Sequence, residues 1–320
     1  MLPTIDDIRG ATTAIRGAAI RTPLVRFDAT DDRLAARGLE IYLKLENLQP
    51  IGAFKIRGAA NVMAHTSAAD LARGVLTASA GNMAQGVAWQ ARQLGVPCTV
   101  VCPETAPDTK IWAIERLGAR VLRVTYDEWW QAFEERAFPG VEGTFIHAFD
   151  DILVMAGNGT IALEILEDLP EADAIVTPWG GGGLTCGVGA AVRAVKPECR
   201  VYAAEVAGAA PLSAALSAGA PRLVDFQPSF VDGIGSKTVF PQMFERARDL
   251  VAGSLVAEVD EVADALLLML ERNHTLAEGA GAAPLACALA GLAGRGKIVC
   301  VVSGGNIDLE ELVELIGRRG

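Results

Sequence analysis

The chain has 320 residues, of which 51% are hydrophobic and 21% charged, a balance that excludes a disordered polymer and accommodates about two domains. Twenty-eight basic residues stand against 39 acidic ones, and the net charge of −11 provides no general field for nucleic acid or an anionic membrane surface. The longer uncharged stretches, 174–192 and 279–294, are interrupted by glycine and proline, so no bilayer-spanning helix is expected.

Asp6 and Asp7 stand where an export signal would be basic and then apolar, so the expected compartment is the cytoplasm. Cys98, Cys102, Cys186, Cys199, Cys287 and Cys300 lack zinc-ligand spacing and read as reduced, buried residues. His65, His147 and His274 show no ligand or triad spacing and read as structural. In chain order, short apolar runs suited to strands fall at 41–45, 75–78, 98–102, 121–124, 174–177, 201–204 and 297–303. Between them, apolar residues recur at three- and four-residue intervals at 82–94, 108–117, 159–166, 185–195 and 262–272, which predicts helices. This alternation predicts an α/β protein whose parallel strands are covered on both faces, and seven runs fit two sheets better than one. The absence of a long polar linker predicts closely packed domains with a cleft between them. Ligands of such sheets gather at the carboxyl ends of strands, where loops lead into helices.

Four segments carry candidate chemistry. Thr177 to Leu184 (TPWGGGGL) follows a predicted strand and precedes a predicted helix. It is either a tight turn with close backbone packing or a cup of backbone N–H groups for a phosphate monoester. Ser79-Ala80-Gly81-Asn82-Met83 occupies a similar loop; Ser79 either caps the following helix or joins Asn82 in a carboxylate cradle. Lys55 lies in Gly52-Ala53-Phe54-Lys55-Ile56-Arg57-Gly58, in a chain with six lysines against 22 arginines. It is a surface lysine at a helix start or an amine retained because arginine cannot form an imine. Ser303-Gly304-Gly305-Asn306 follows the final predicted strand, where its hydroxyl can meet the edge of a flat ring or help start the last helix. Together the four supply a reactive amine, a phosphate cup, a carboxylate cradle and a partner for a ring nitrogen, the components for pyridoxal phosphate acting on an amino acid.

At these residues the chain resembles the fold-type II pyridoxal-phosphate family, in its serine/threonine dehydratase and serine racemase branch. The resemblance rests on Ala53 to Ala59 (AFKIRGA), Ala78 to Asn82 (ASAGN) with Ala84 to Ala88 (AQGVA), Gly180 to Leu184, and Ser303 to Asn306. Weaker similarities at Leu43 to Gln49, Pro103 to Pro107, His147 to Thr160 and Ala277 to Gly281 extend it over nearly the whole chain. It implies two open, twisted, mostly parallel sheets flanked by helices, as in the tryptophan synthase β fold. It also implies a large cofactor domain (1–70 and 149–320), a small substrate-carboxylate domain (71–148) and a homodimer. Lys55 would be the catalytic residue, holding the cofactor covalently and acting as general base. Gly180, Gly181, Gly182, Gly183 and Leu184 would bind the phosphate, Asn82 the ring 3-oxygen and Ser303 the ring nitrogen. Phe54 would pack on the ring and Glu278 would line the pocket. Ser79, Ala80, Gly81 and Asn82 would embrace the substrate carboxylate, with Met83 beside them.

The implied reaction is α,β-elimination of an L-β-hydroxy-α-amino acid, threonine or serine, to a 2-oxo acid and ammonia. Racemases of this branch carry a serine at the position of Ala80, and an alanine cannot carry a proton, so racemisation is the weaker alternative. Met83 stands where threonine dehydratases commonly have histidine, which leaves 3-hydroxyaspartate, phenylserine and hydroxyectoine-derived substrates open. The divalent-metal position of some relatives maps to Glu205 and Ala209, but its second carboxylate is replaced by Pro211, so tight Mg²⁺ or Ca²⁺ binding is not expected there and a monovalent ion or none is.

Overall fold

The computed structural model describes residues 1–28 and 32–318. The chain runs through α1 (Ile5–Ala14), β1 (Leu24–Arg26), α2 (Asp32–Ala36), β2 (Leu39–Lys44), α3 (Lys55–Ala64), α4 (Ala68–Ala72), β3 (Val75–Ala78) and α5 (Asn82–Leu94). It continues with β4 (Cys98–Pro103), α6 (Asp108–Glu115), β5 (Arg120–Val124), α7 (Tyr126–Glu135), β6 (Thr144–Phe145), α8 (Ile152–Asp168), β7 (Ala174–Pro178) and α9 (Gly183–Val195). The remainder comprises β8 (Arg200–Val206), α10 (Pro211–Ala218), α11 (Pro241–Ala247), β9 (Gly253–Ala257), α12 (Val259–Asn273), α13 (Gly279–Leu289), β10 (Gly296–Val301) and α14 (Leu309–Gly317).

Unbroken apolar runs become central strands because helices cover both of their faces. Every residue of β3 (VLTA) and β7 (AIVTP) is buried, whereas β5 at a sheet edge is largely exposed or half-buried. One sheet has the order β1-β2-β10-β7-β8-β9, parallel except for the antiparallel β1–β2 pair. The other, in the order β5-β4-β3-β6, is wholly parallel. The α/β architecture is therefore two mainly parallel sheets flanked by helices. All seven predicted strands form. The sequence reading omitted β1, β6 and β9, which are short or peripheral and carry weak apolar patterns.

Glycine interlocks bring the two catalytically suggestive helix starts together. A Cβ on Gly157 of α8 would lie 2.4 Å from the Arg57 carbonyl oxygen of α3. A Cβ on Gly187 of α9 would lie 2.2 Å from the Met155 carbonyl oxygen of α8. Helix α8 can thus hold α3 and α9 at backbone contact only through residues without side chains. That contact sets Lys55, the first residue of α3, opposite the glycine loop that opens α9. All six cysteines are buried and free. No described helix is long and apolar enough to cross a membrane.

Candidate active site

Lys55 is placed by a loop joined to the β10 carboxyl end. Phe54 N–H donates to the Ser303 carbonyl at 2.9 Å, and Gly305 N–H donates to the Gly52 carbonyl at 2.9 Å. Lys55 Nζ projects into an inner cavity of about 370 Å³ and donates to the Ala148 carbonyl at 2.7 Å. It lies 5.1 Å from the centroid of the Phe54 ring. Burial pushes the Lys55 ammonium down to about 8, partly opposed by the Glu278 carboxylate. An amine held at that value exists in its neutral, nucleophilic form far more readily than a solvent-exposed lysine.

Behind Lys55 the helix is tied down by charge. Arg57 Nε and one terminal nitrogen donate to the two oxygens of Glu46 at 2.8 Å each. Its other terminal nitrogen donates to Glu164 at 2.6 Å and to Thr160 Oγ1 at 3.0 Å. Lys44 Nζ reaches the same Glu164 at 2.6 Å. Burial opposes the Arg57 charge, yet Glu46 and Glu164 hold the guanidinium above its ordinary value. Burial likewise opposes the Glu46 carboxylate, and Arg57 keeps it below the ordinary range.

The glycine loop is required for more than one reason. Only Gly182 within it has a left-handed φ, of 87°. Gly181 and Gly183 are needed for space: added Cβ atoms would lie 2.0 Å from the Phe149 ring and 2.8 Å from the Phe149 backbone, respectively. Both readings of this segment therefore describe the same loop, since close packing and a side-chain-free cavity wall occur together. Gly180, Gly181, Gly182, Gly183 and Leu184 all line the inner cavity at the N-terminus of the 13-residue α9.

Ser79, Gly81, Asn82 and Met83 line the same cavity from the opposite side, whereas Ala80 faces an outer cleft of about 520 Å³. Ser79 does not cap α5; its hydroxyl accepts from Gly81 N–H at 3.2 Å, and the N-cap is Gly81 without a side-chain bond. Asn82 Nδ2 donates to the Glu278 oxygens at 2.9 and 3.1 Å, and its Oδ1 accepts from Asn306 Nδ2 at 2.7 Å. Burial pushes the Glu278 carboxyl up to about 7, with the Asn82 hydrogen bonds opposing. Gly304 makes this approach possible, since a Cβ there would be 2.5 Å from Glu278 Oε1. Ser303 is buried and lines the cavity beside Glu278. Met83 contributes both to the cavity wall and to the core of the small sheet.

His147 belongs to the support. Its Nδ1 accepts from the N–H groups of Phe149 and Asp150 at 3.2 and 2.8 Å, and burial pushes its imidazolium down to about 3. Asp150 then accepts from Arg136 at 2.8 Å and from Arg246. These bonds fix the loop carrying Ala148 and Phe149. Glu205 is buried, and its oxygens accept from the N–H groups of Leu212 and Ser213 at 2.8 Å each and from Ser254 Oγ at 2.6 Å.

Sequence reasoning missed the Ala148 carbonyl, the Asn306 amide beside Asn82, and an aromatic wall formed by Trp129, Trp130, Phe133, Phe149 and Phe240. The adjacent pair Trp129-Trp130, in a chain with only five tryptophans, was the available signal for that wall.

The donor set fits pyridoxal phosphate: a half-buried amine with a lowered pKa, a glycine-built helix N-terminus, a hydroxyl and an amide all line one cavity. Lys55 is the only cationic side chain lining that cavity among the described residues, so an anion in the glycine loop would rely on backbone N–H groups. The comparisons with known proteins agree. Residues 15–304 match the family described as pyridoxal-phosphate dependent enzyme, and the chain belongs to that family. It is 40% identical over 318 residues to an L-threonine ammonia-lyase of Thermotoga maritima, covering 98% of this chain and 78% of that one. It is 43% identical over 319 residues to an L-threonine ammonia-lyase of Geobacter sulfurreducens, covering 97% and 77%. Among solved structures, maize serine racemase superposes with a TM-score of 0.90 at 30% identity, covering 100% of this chain and 98% of that one.

Proposed function

We propose that the protein deaminates an L-β-hydroxy-α-amino acid, L-threonine or L-serine, by α,β-elimination of water followed by hydrolysis, which returns that water and releases ammonia and a 2-oxo acid. The observation that carries this reading is Lys55 Nζ, which projects from a half-buried side chain into the same cavity as the glycine loop, with desolvation pushing its pKa down to about 8. Lys55 would hold the cofactor covalently, backbone N–H groups from Gly180 to Leu184 its phosphate, Ser303 its ring nitrogen and Asn82 its 3-oxygen, with Phe54 and Glu278 beside the ring. Pyridoxal phosphate, when bound, supplies an electron-withdrawing ring that stabilises negative charge at the substrate Cα.

The chain's own groups do the rest. The Ser79–Asn82 loop binds the substrate carboxylate and fixes Cα toward Lys55. Released from its covalent role, neutral Lys55 Nζ accepts the Cα proton. Ser303, a hydroxyl and not a carboxylate, would be a weak partner for the ring nitrogen, which suits elimination. Glu278, with its carboxyl near 7, holds the Asn82 amide in place. Ala80, which lines the outer cleft, carries no proton that could be given to Cα, which favours elimination over racemisation although a serine racemase is among the structural relatives. The small-domain limits 71–148 and the large-domain limits 1–70 and 149–320 belong to this reading, with the cleft between them as the substrate path. So does a cytoplasmic homodimer: six buried, unpaired cysteines support the compartment, and the family resemblance supports the dimer.

The test is 2-oxo acid release from L-threonine and L-serine by the purified holoprotein. Lys55→Ala is expected to lower the rate by at least about 10³-fold, the range of a lost general base. Racemisation as fast as elimination, or full activity in Lys55→Ala, would contradict the reading.

A further inference from the structure

One end of the inner cavity takes no part in the chemistry above beyond Phe149, which packs on the glycine loop. Trp129 and Trp130 from α7, Phe149 from the loop before α8, and Phe240 at the start of α11 meet there as one aromatic wall. The rings are in contact: Trp130 stacks on Phe240 with centroids 5.7 Å apart, and Phe149 lies 5.2 Å from Phe240. Phe133 also lines the cavity, 5.8 Å from Trp130 and 5.5 Å from Phe149. Three separate chain segments thus turn ring surface toward the same space as Lys55.

We propose that this wall is a side-chain subsite for β-hydroxy-α-amino acids bearing an aromatic ring on Cβ, which the enzyme turns over at least as efficiently as L-threonine. The proposal rests on the elimination reading and specifies its substrate class. The threonine methyl is too small to touch all three segments, whereas a phenyl group presents faces and edges to several rings, each contact worth up to about tenfold in binding. Charge in the cavity argues against an acidic substituent. No arginine lines it among the described residues, and Lys110 and Arg116 instead face the outer cleft, where Lys110 is paired with Asp232 at 2.5 Å. The reaction balances without a further reagent. The Cα–H and Cβ–O bonds of phenylserine break with loss of water, and the resulting enamine tautomerises to an imine. Water then adds, releasing ammonia and phenylpyruvate.

The experiment compares initial rates of phenylpyruvate formation from L-threo-phenylserine and 2-oxobutanoate formation from L-threonine in the holoprotein. The expected kcat/KM for phenylserine equals or exceeds that for threonine, and Trp130→Ala lowers the phenylserine-to-threonine ratio at least tenfold. Trp130→Leu, which keeps apolar volume, lowers the ratio in the same direction and covers the event that the alanine variant fails to fold. A binding arm uses L-phenylalanine and L-alanine, which lack a β-leaving group, followed by quenching of tryptophan fluorescence. L-Phenylalanine is expected to bind at least tenfold more tightly, with the difference reduced in Trp130→Leu. Turnover of threonine without phenylserine, or an unchanged ratio in a folded variant, overturns the subsite and leaves the elimination reading intact. If neither hydroxyamino acid reacts, the elimination reading fails; the binding arm still decides whether the wall recognises a ring, and equal binding of the two amino acids overturns it.

Discussion

The two sides of Lys55 are built from opposite materials. Behind it, Arg57 joins Glu46, Glu164 and, through Glu164, Lys44, all buried or nearly so, in a network with short, directional bonds. In front of it, tryptophan and phenylalanine rings from α7, the loop before α8 and the start of α11 meet through tilted or stacked faces. The rear tolerates little change, because each buried charge depends on its partner. The front permits exchange of one ring for another side chain, because apolar contacts are non-directional. Under the proposed function such a site would have a fixed reacting amine and an adjustable substrate wall, with the lysine positioned from behind and the choice of side chain made in front of it.

The sharpest way to break this contrast is Arg57→Ala. It leaves Glu46 without its paired cation and Glu164 with Lys44 alone, and the expected loss is about 3–5 kcal/mol of unfolding free energy, read by urea denaturation. A loss no larger than that of a surface arginine would remove the distinction between the two sides.

A second effect concerns the amine. With its pKa pushed down to about 8, Lys55 becomes neutral as pH rises through 8, rather than through the ordinary lysine value of 10.5. At pH 7 this increases the neutral fraction roughly 300-fold over an unperturbed lysine. The rate at which cofactor-free protein captures pyridoxal phosphate should therefore rise with pH and level off above about 8, as followed by stopped-flow absorbance. A rate still climbing steeply at pH 10 would show that burial does not set the amine.

The smallest effect is expected at the glycine interlock. Gly187→Ala sets a methyl against the Met155 carbonyl oxygen and should cost about 1–3 kcal/mol. Its thermal midpoint should fall, and cofactor affinity should fall with it, because α9 shifts relative to α3. An unchanged midpoint would mean that the helices are not locked by backbone contact.

Much of this was legible in the sequence where the signal was local. The helix predicted at 82–94 has those observed limits, and the strand–loop–helix segments around Asn82 and Gly182 announce themselves by composition. Helix α8 was predicted at 159–166 but extends over Ile152–Asp168. Gly157, Asn158 and Gly159 depress its intrinsic propensity, and packing against α3 and α9 restores it. Strand β1 is three residues long and β6 two, too short for periodicity to register. The aromatic wall was illegible for another reason: Trp130 and Phe240 are 110 positions apart and meet only through tertiary packing. The Ala148 carbonyl that holds Lys55 Nζ is a backbone group and carries no side-chain signature.

The most direct measurement is peptide mapping after borohydride treatment of the holoprotein. Of the six lysines, Lys55 alone should carry the reduced pyridoxyl-phosphate group, with the mass increment confined to its peptide. A modification on Lys44, Lys110 or any other lysine, or none at all on protein saturated with the cofactor, would contradict the account.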